Sequence, residues 1–234
     1  EKMKEACLKQ EPLVEKEYSY IPQKSKTSFD LFEINSMNQK VDDSSCYVSE
    51  MFNSNQILEK SNITSVDGFV NAHLGKGKIV DSLNVSNSYS VAAILEMGYE
   101  SCVISDECDK YQVEEIMKGF SNRYHFDAPV YKTLYQKRRL MTMKHCPVNT
   151  ALKDGKRMNC GLCHHHRYEL EGLDGKRVFL LGDKDCHMRL YDVNIMNEIE
   201  NRKDYESYGI KHFRFVFTDE NQEEVKTAFR AYNR

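Results

Sequence analysis

The 30 residues KIVDSLNVSNSYSVAAILEMGYESCVISDE, from 78 to 107, leave a chain few ways to fold. An apolar run gives way to a helical stretch with Ser86 or Asn87 in the capping position, an apolar face through Val91, Ile94 and Leu95, and Gly98 as its stop. A second apolar run, SCVISDE, follows at once. Strand, helix and strand in so short a span make a parallel crossover, which is right-handed in nearly all proteins. The pattern recurs on both sides. FDLFEI (Phe29–Ile34) and DGFVNAHL read as strands, DKYQVEEIMKGF as a helix ending near its glycine, and PVYKTLY and RRLMTM as two strands. Further on, Val193–Glu200 reads as a helix, HFRFVF as a strand, and TDENQEEVKTAFRAY as a helix capped by Thr218 or Asp219. Repeated βα units imply an α/β fold with a parallel sheet, and about five or six of them fall short of the eight in a closed barrel.

The first 28 residues, polar, charged and interrupted by Pro12 and Pro22, read as an arm or linker, leaving 29–234 as the α/β body. No apolar run approaches the roughly 20 residues that span a bilayer. The stretch EKMKEACLKQEPLVEKEYSY has neither the apolar core nor the small-residue cleavage site of a secretory signal, so a reducing, cytoplasmic setting is expected. Net charge is −3, yet residues 132–189 carry 13 Lys and Arg against 6 Asp and Glu. Such asymmetry is the footprint of a surface facing nucleic acid, or else of a solvated Lys-rich loop region.

That basic stretch also holds a cluster of thiols and imidazoles, in KHCPVNTALKDGKRMNCGLCHHHRYEL, residues 144–170. Cys160 and Cys163 form C-x-x-C, with Cys146 lying 14 positions before the pair and Cys186 23 positions after it. In a reducing compartment such cysteines bind metal or do redox chemistry more often than they form disulfides. Four thiolates in a single–pair–single pattern suit a tetrahedral zinc site or a [4Fe–4S] cube with one thiolate per iron. Simple burial is the bland alternative, and Cys102, inside an apolar strand, is read that way; Cys7, Cys46 and Cys108 are ordinary thiols. His145 and His187 adjoin Cys146 and Cys186 and are candidates to tune a bound metal from outside its ligand shell. His164, His165 and His166 read as exposed loop residues. Beyond the cysteine pair, YELEGLDGKRVFLLG is a hairpin turning at Asp174-Gly175.

LMTMKHCPVN, the C-x-x-C, DGKRVFLLGDKDC and the upstream DSLNVSNSYSVAAILEMGYESCVISDE together resemble the signature region of the U32 peptidase family, the collagenase-like proteins. The resemblance runs from about Asp67 to Cys186 and more loosely through GIKHFRFVFTDEN. It implies a partial TIM-like barrel with a cysteine-rich loop and a β-hairpin, belonging to the C-terminal part of a longer member, with the remaining strands supplied by the full-length chain or an oligomer partner. It implies a metal-binding segment at 144–190 in which Cys146, Cys160, Cys163 and Cys186 ligate a [4Fe–4S] cluster, with zinc as the alternative. Relatives hydroxylate ribosomal RNA, the wobble uridine of transfer RNA, or the ubiquinone ring without oxygen. The family's SPE reads Ser105-Asp106-Glu107 here.

The peptidase label can be weighed against the residues. No G-x-S-x-G elbow and no H-E-x-x-H appear, and a cysteine engaged in a metal cannot double as nucleophile. The expectation is therefore an iron–sulfur module of an enzyme acting on RNA bases, with Lys137, Arg138, Arg139, Lys156, Arg157 and Arg167 gripping phosphates. The alternatives are a metal-dependent peptidase or its regulatory domain, and a structural zinc-binding interaction domain. No general acid or base is identified; Asn84, Asn87 and Glu107 fall where strands end, the usual place for catalysis and equally for caps and turns.

Overall fold

The computed structural model describes residues 19–24, 29–35, 37–41, 46–48, 66–67, 79–153, 160–182 and 186–234. Most of the expected arm, and the DGFVNAHL strand beyond Asp67, lie outside them. Ten strands form one sheet: β1 (Leu31–Glu33), β2 (Cys46–Val48), β3 (Val66–Asp67), β4 (Ile79–Val85), β5 (Ser101–Ile104), β6 (Val130–Met143), β7 (Tyr168–Glu171), β8 (Arg177–Gly182), β9 (Met188–Asn197) and β10 (His212–Val216). Its main path is β2-β1-β10-β6-β5-β4-β3, and every ladder along it is parallel. The crossovers read from the sequence are there, but the sheet is open: among the described residues no ladder joins β2 to β3. Nor is it wholly parallel, because β6, β9, β8 and β7 continue as an antiparallel ribbon. The fold is a mixed α/β sheet.

The two strands expected at PVYKTLY and RRLMTM are one, since no Gly or Pro interrupts Val130–Met143. In its first half β6 lies between β5 and β10; in its second half it pairs with β9. That pairing explains a correction. Val193–Asn197 belongs to β9, with Ile195 opposite Lys137 and Asn197 opposite Tyr135, and only Ile199–Asn201 coils beyond it, as a 3₁₀ turn. A cross-strand partner overrides the local helical pattern.

Helices α1 (Ser88–Glu96), α2 (Lys110–Tyr124), α3 (Pro147–Lys153), α4 (Leu162–His165), α5 (Arg202–Ser207) and α6 (Gln222–Tyr232) complete the described structure. Asn87 caps α1, its side chain accepting from the Ser90 N–H at 2.8 Å. Helix α2 does not stop at Gly119; Phe120 is buried in the core, and the chain turns only at His125, whose φ is 60°. Helix α6 is capped by Asn221 with Glu224 at the third position, not by Thr218 or Asp219, which stay in the turn before it. The main core joins Val80, Cys102, Leu134, Phe213 and Phe215 of the strands to Val91, Val113, Phe120, Val225 and Phe229 of the helices. Cys102 is the packed thiol expected, and burial pushes it up to about 12. On the other side of the sheet Leu31, Ile79, Val103 and Tyr131 form a small apolar layer. One period further along their strands come Glu33 and Asp81, where alternation puts them on the same side. Among the described residues no helix is long and apolar enough to cross a membrane.

Candidate functional site

The far end of the ribbon gathers the cysteines. Met143 pairs with Met188, and Met188 with Gly182, so the chain leaving β6 and the chain entering β9 start side by side. Cys146 follows the first and Cys186 precedes the second. Helix α3 opens directly after Cys146, and the Asn149 N–H donates to the Cys146 Sγ at 3.3 Å. Gly161, with φ 73°, turns the chain between Cys160 and Cys163. Cys163 then packs against the bare Gly182, where a Cβ would lie 2.8 Å from both the Cys163 Sγ and the Met188 Sδ. Cys146 and Cys163 share one apolar cluster with Val148, Leu180, Met188 and Leu190. The Cys163 thiol is held above the ordinary value, first by burial and next by the neighbouring Cys146, with further contributions from Cys186 and Cys160. Cys146, Cys160 and Cys186 all bear on the Cys163 thiol, and all four are free of disulfides. Cys186 sits at φ 59°, a backbone conformation that a residue with a side chain adopts only when its surroundings hold it there. The four are neighbours without a shared ligand geometry: among the described residues no group of three or more His, Cys, Asp or Glu is placed to hold a metal ion.

Of the histidines, His145 is exposed, its Nε2 lying 3.3 Å from the Thr150 hydroxyl, and His187 is half-buried. His166 is exposed with its ring edge-on to Tyr168. The side chains of His164 and His165 are not described.

Successive residues on a strand face opposite ways. Leu190 points among the thiols, so its neighbour Tyr191 points to the other face, where it lines a cleft of ≈ 510 Å³. Phe179 stacks on Tyr191 with ring centroids 5.3 Å apart. The cleft lies over the carboxyl ends of β1, β4, β5 and β10 and the middle of β6. Its floor is Arg214, which donates to both Asp81 oxygens at 3.0 and 2.7 Å and to Glu33 at 2.6 Å, all three residues being buried. Asn84, in a left-handed conformation at φ 50°, accepts the Ser105 hydroxyl at 2.5 Å. Gln136 donates to the Asp106 Oδ2 at 2.6 Å, whereas the Asp106 Oδ1 is shut from water and has no donor among the described residues. Glu107, Lys137, Arg138 and Arg139 complete the rim. Asn84 and Glu107 therefore do meet at this end of the sheet, while Asn87 is a cap.

The basic residues divide. Lys137 and Arg167 converge on opposite oxygens of Asp219, with Glu220 at 3.4 Å from Lys137. Both cations lie over the Phe179 ring, at 5.5 and 4.5 Å. Arg138 is exposed, touches only the Met196 sulfur at 3.7 Å, and faces no carboxylate among the described residues. Arg139 lines the cleft, and Lys156 and Arg157 lie outside the described residues. Sequence reasoning missed Glu33, Asp81, Arg214, Gly182 and Asp219. A signal existed for three: each interrupts an apolar run (FDLFEI, KIVDSLNV, HFRFVF) with a charge, which a buried strand tolerates only when the charge is paired. No protein-family model, no curated protein and no solved structure matches the chain.

Proposed function

We propose that this chain is the cluster-bearing part of a U32-type enzyme that hydroxylates RNA bases without molecular oxygen, and that its sheet is part of a TIM-like barrel. Supporting the barrel reading, the parallel path read from β3 through β6 to β10, β1 and β2 keeps the cyclic strand order a barrel would have, and among the described residues no ladder joins β2 to β3. Strands from the rest of a longer chain or from an oligomer partner fill that gap. One observation carries the functional reading: four neighbouring thiols stand at the end of a ribbon whose opposite face walls a polar cleft over the strands' carboxyl ends.

Cys146, Cys160, Cys163 and Cys186 would hold the cluster. The donor set fits, being all thiol, half-buried and disulfide-free, with Cys146 and Cys163 in apolar surroundings and one backbone N–H already directed at a sulfur. Such a cluster supplies one-electron chemistry. The chain's own residues do the rest: the ribbon keeps the thiols out of the cleft, the Arg214 carboxylate trio fixes its floor, and Arg138, unpaired with any carboxylate among the described residues, offers its cation to a phosphate of ribosomal or transfer RNA in the cytoplasm. A metal-dependent peptidase draws less support, because it needs an open metal position facing its substrate, and these thiols face away from the cleft. That same separation favours a second reading, a closed four-thiolate zinc site that stiffens the ribbon.

Oxygen-protected purification followed by iron, sulfide and zinc analysis decides between them. The expected result is roughly four iron and four sulfide per chain, lost in Cys163→Ser. One zinc with no sulfide overturns the cluster reading.

A further inference from the structure

A second cavity, of ≈ 460 Å³, opens at the other end of the sheet, beside Val130 at the start of β6 and His212 at the start of β10. From Val130 to Gln136 in the cleft is about 20 Å along the strand, so the two cavities are separate places. Among the described residues four basic side chains line the second one, Lys24, His125, Lys211 and His212, against a single carboxylate, Asp127. They come from distant parts of the chain. Lys24 belongs to the described end of the expected arm, where Tyr20 packs on the main core. His125 ends α2, and Lys211 and His212 lead into β10. At φ 60° His125 holds the left-handed turn in which glycine is the ordinary residue, so that turn carries an imidazole to the cavity.

These groups are open to a ligand. Lys24, His125 and Lys211 are all exposed, within reach of a solute. Lys24 lies 5.7 Å from the Phe126 ring centroid and faces no carboxylate among the described residues; the His125 ring has no hydrogen-bond partner among them. Lys211 is paired with Asp127 at 2.7 Å, but both side chains are exposed, and such pairs hold little energy against a stronger partner. Like charges gathered around a concave surface attract an anion. The cavity is of the size that takes small molecules, with room for far more than one inorganic ion.

We propose that this second cavity binds the phosphate group of a small phosphorylated organic molecule, Lys24 and Lys211 taking its charge and His125 and His212 adding donors. Lysine ammonium groups hold phosphate as point charges, with no demand for a fixed geometry. Basic groups arriving from the arm, from α2 and from the approach to β10 suit a terminal phosphate with three free oxygens. A backbone phosphodiester offers two and needs room for chain on both sides. The site is independent of the thiols and of the cleft, and stands whichever metal the thiols hold.

The test is equilibrium dialysis of the intact chain against ribose 5-phosphate, with ribose, inorganic phosphate and an RNA trinucleotide lacking terminal phosphates beside it. Ribose 5-phosphate should bind saturably, ribose should not, and inorganic phosphate should displace the sugar phosphate. Lys24→Ala should weaken binding by about tenfold, the loss of one charged contact. Asp127→Asn should instead tighten it by about twofold or more, since Lys211 is released from its carboxylate. A gain of affinity is a result that misfolding does not imitate. Absence of saturable binding overturns the proposal, as does binding indifferent to Lys24→Ala or weakened by Asp127→Asn. A trinucleotide that binds as tightly as ribose 5-phosphate, and loses as much with Lys24→Ala, also overturns it, because the cavity would then be a contact for nucleic-acid backbone.

Discussion

Gly182 has no side chain, and that absence is what admits Cys163. A methyl group there would collide with two sulfurs at once, one belonging to a thiol and one to Met188. Gly182→Ala should therefore cost about 1–3 kcal/mol of stability by overpacking, and should lower metal content more than that loss alone explains. Urea unfolding beside metal analysis checks it; a variant that keeps its full metal complement would show that Cys163 does not depend on this contact. The same scale marks how far the sequence could be read. Four cysteines announced themselves by type and spacing, because thiols are rare and their chemistry narrow. Gly182 did not, since a glycine ending a strand looks like any turn until its neighbour across the ladder is known. Asp106 was visible only as a departure from a motif, and its orphaned oxygen is a property of three-dimensional packing.

At the level of elements, Asp219 is the tie between two parts of the sheet. Lys137 belongs to β6 and borders the cleft; Arg167 lies between the cysteine-bearing α4 and β7. One carboxylate serves both, over the face of Phe179. Neutralising it in Asp219→Asn should loosen the β7–β8 hairpin by about 1–3 kcal/mol, the range for a charged hydrogen bond whose partner is left partly buried. Hydrogen exchange should then quicken in Tyr168–Gly182 and stay unchanged in α1 and α2. Uniform acceleration would mean that the tie is not local. The elements themselves were largely legible where period and punctuation agreed, as in β4, α1, β5, the β7–β8 hairpin and β10. They misled where a partner decides the outcome. Val193–Asn197 has helical spacing and lies in a strand because β6 is beside it. Thr218 and Asp219 are good capping residues, but one donates to Glu220 and the other receives two cations, leaving Asn221 to cap.

For the molecule as a whole, stability at high pH is set by hydroxyls and thiols shut inside it. Burial raises Cys102 from the ordinary 9.0 to about 12, and raises Tyr135, Tyr205 and Tyr232 above the usual phenol range. A raised value means that the native state holds its proton more tightly than the unfolded chain does. The corresponding stability is complete below pH 9 and is lost as pH climbs towards 12. Urea midpoints should fall steadily across that window, and less steeply in Cys102→Ala. Arg214 makes the opposite kind of contribution, independent of pH in this range but dependent on its partners. Arg214→Met leaves Asp81 and Glu33 buried together without their cation, and should cost about 3–5 kcal/mol, whereas the triple change to apolar residues should cost far less. Chemical denaturation of both variants checks this. The global path of the sheet was only half readable: crossovers follow from local pattern, while the strand order β2-β1-β10-β6-β5-β4-β3 and the switch to an antiparallel ribbon depend on which distant strands meet.

Strand β6 is a single unbroken backbone shared by both regions, parallel partners holding its first half and β9 its second. It works as a ruler, setting about 13 Å between Arg139 at the rim and Met143 beside the sulfurs. A lone residue inserted after Met141 would turn every later side chain of that strand over and aim the cysteine-bearing tip the wrong way. Two inserted residues would restore the facing and merely lengthen the arm by about 7 Å.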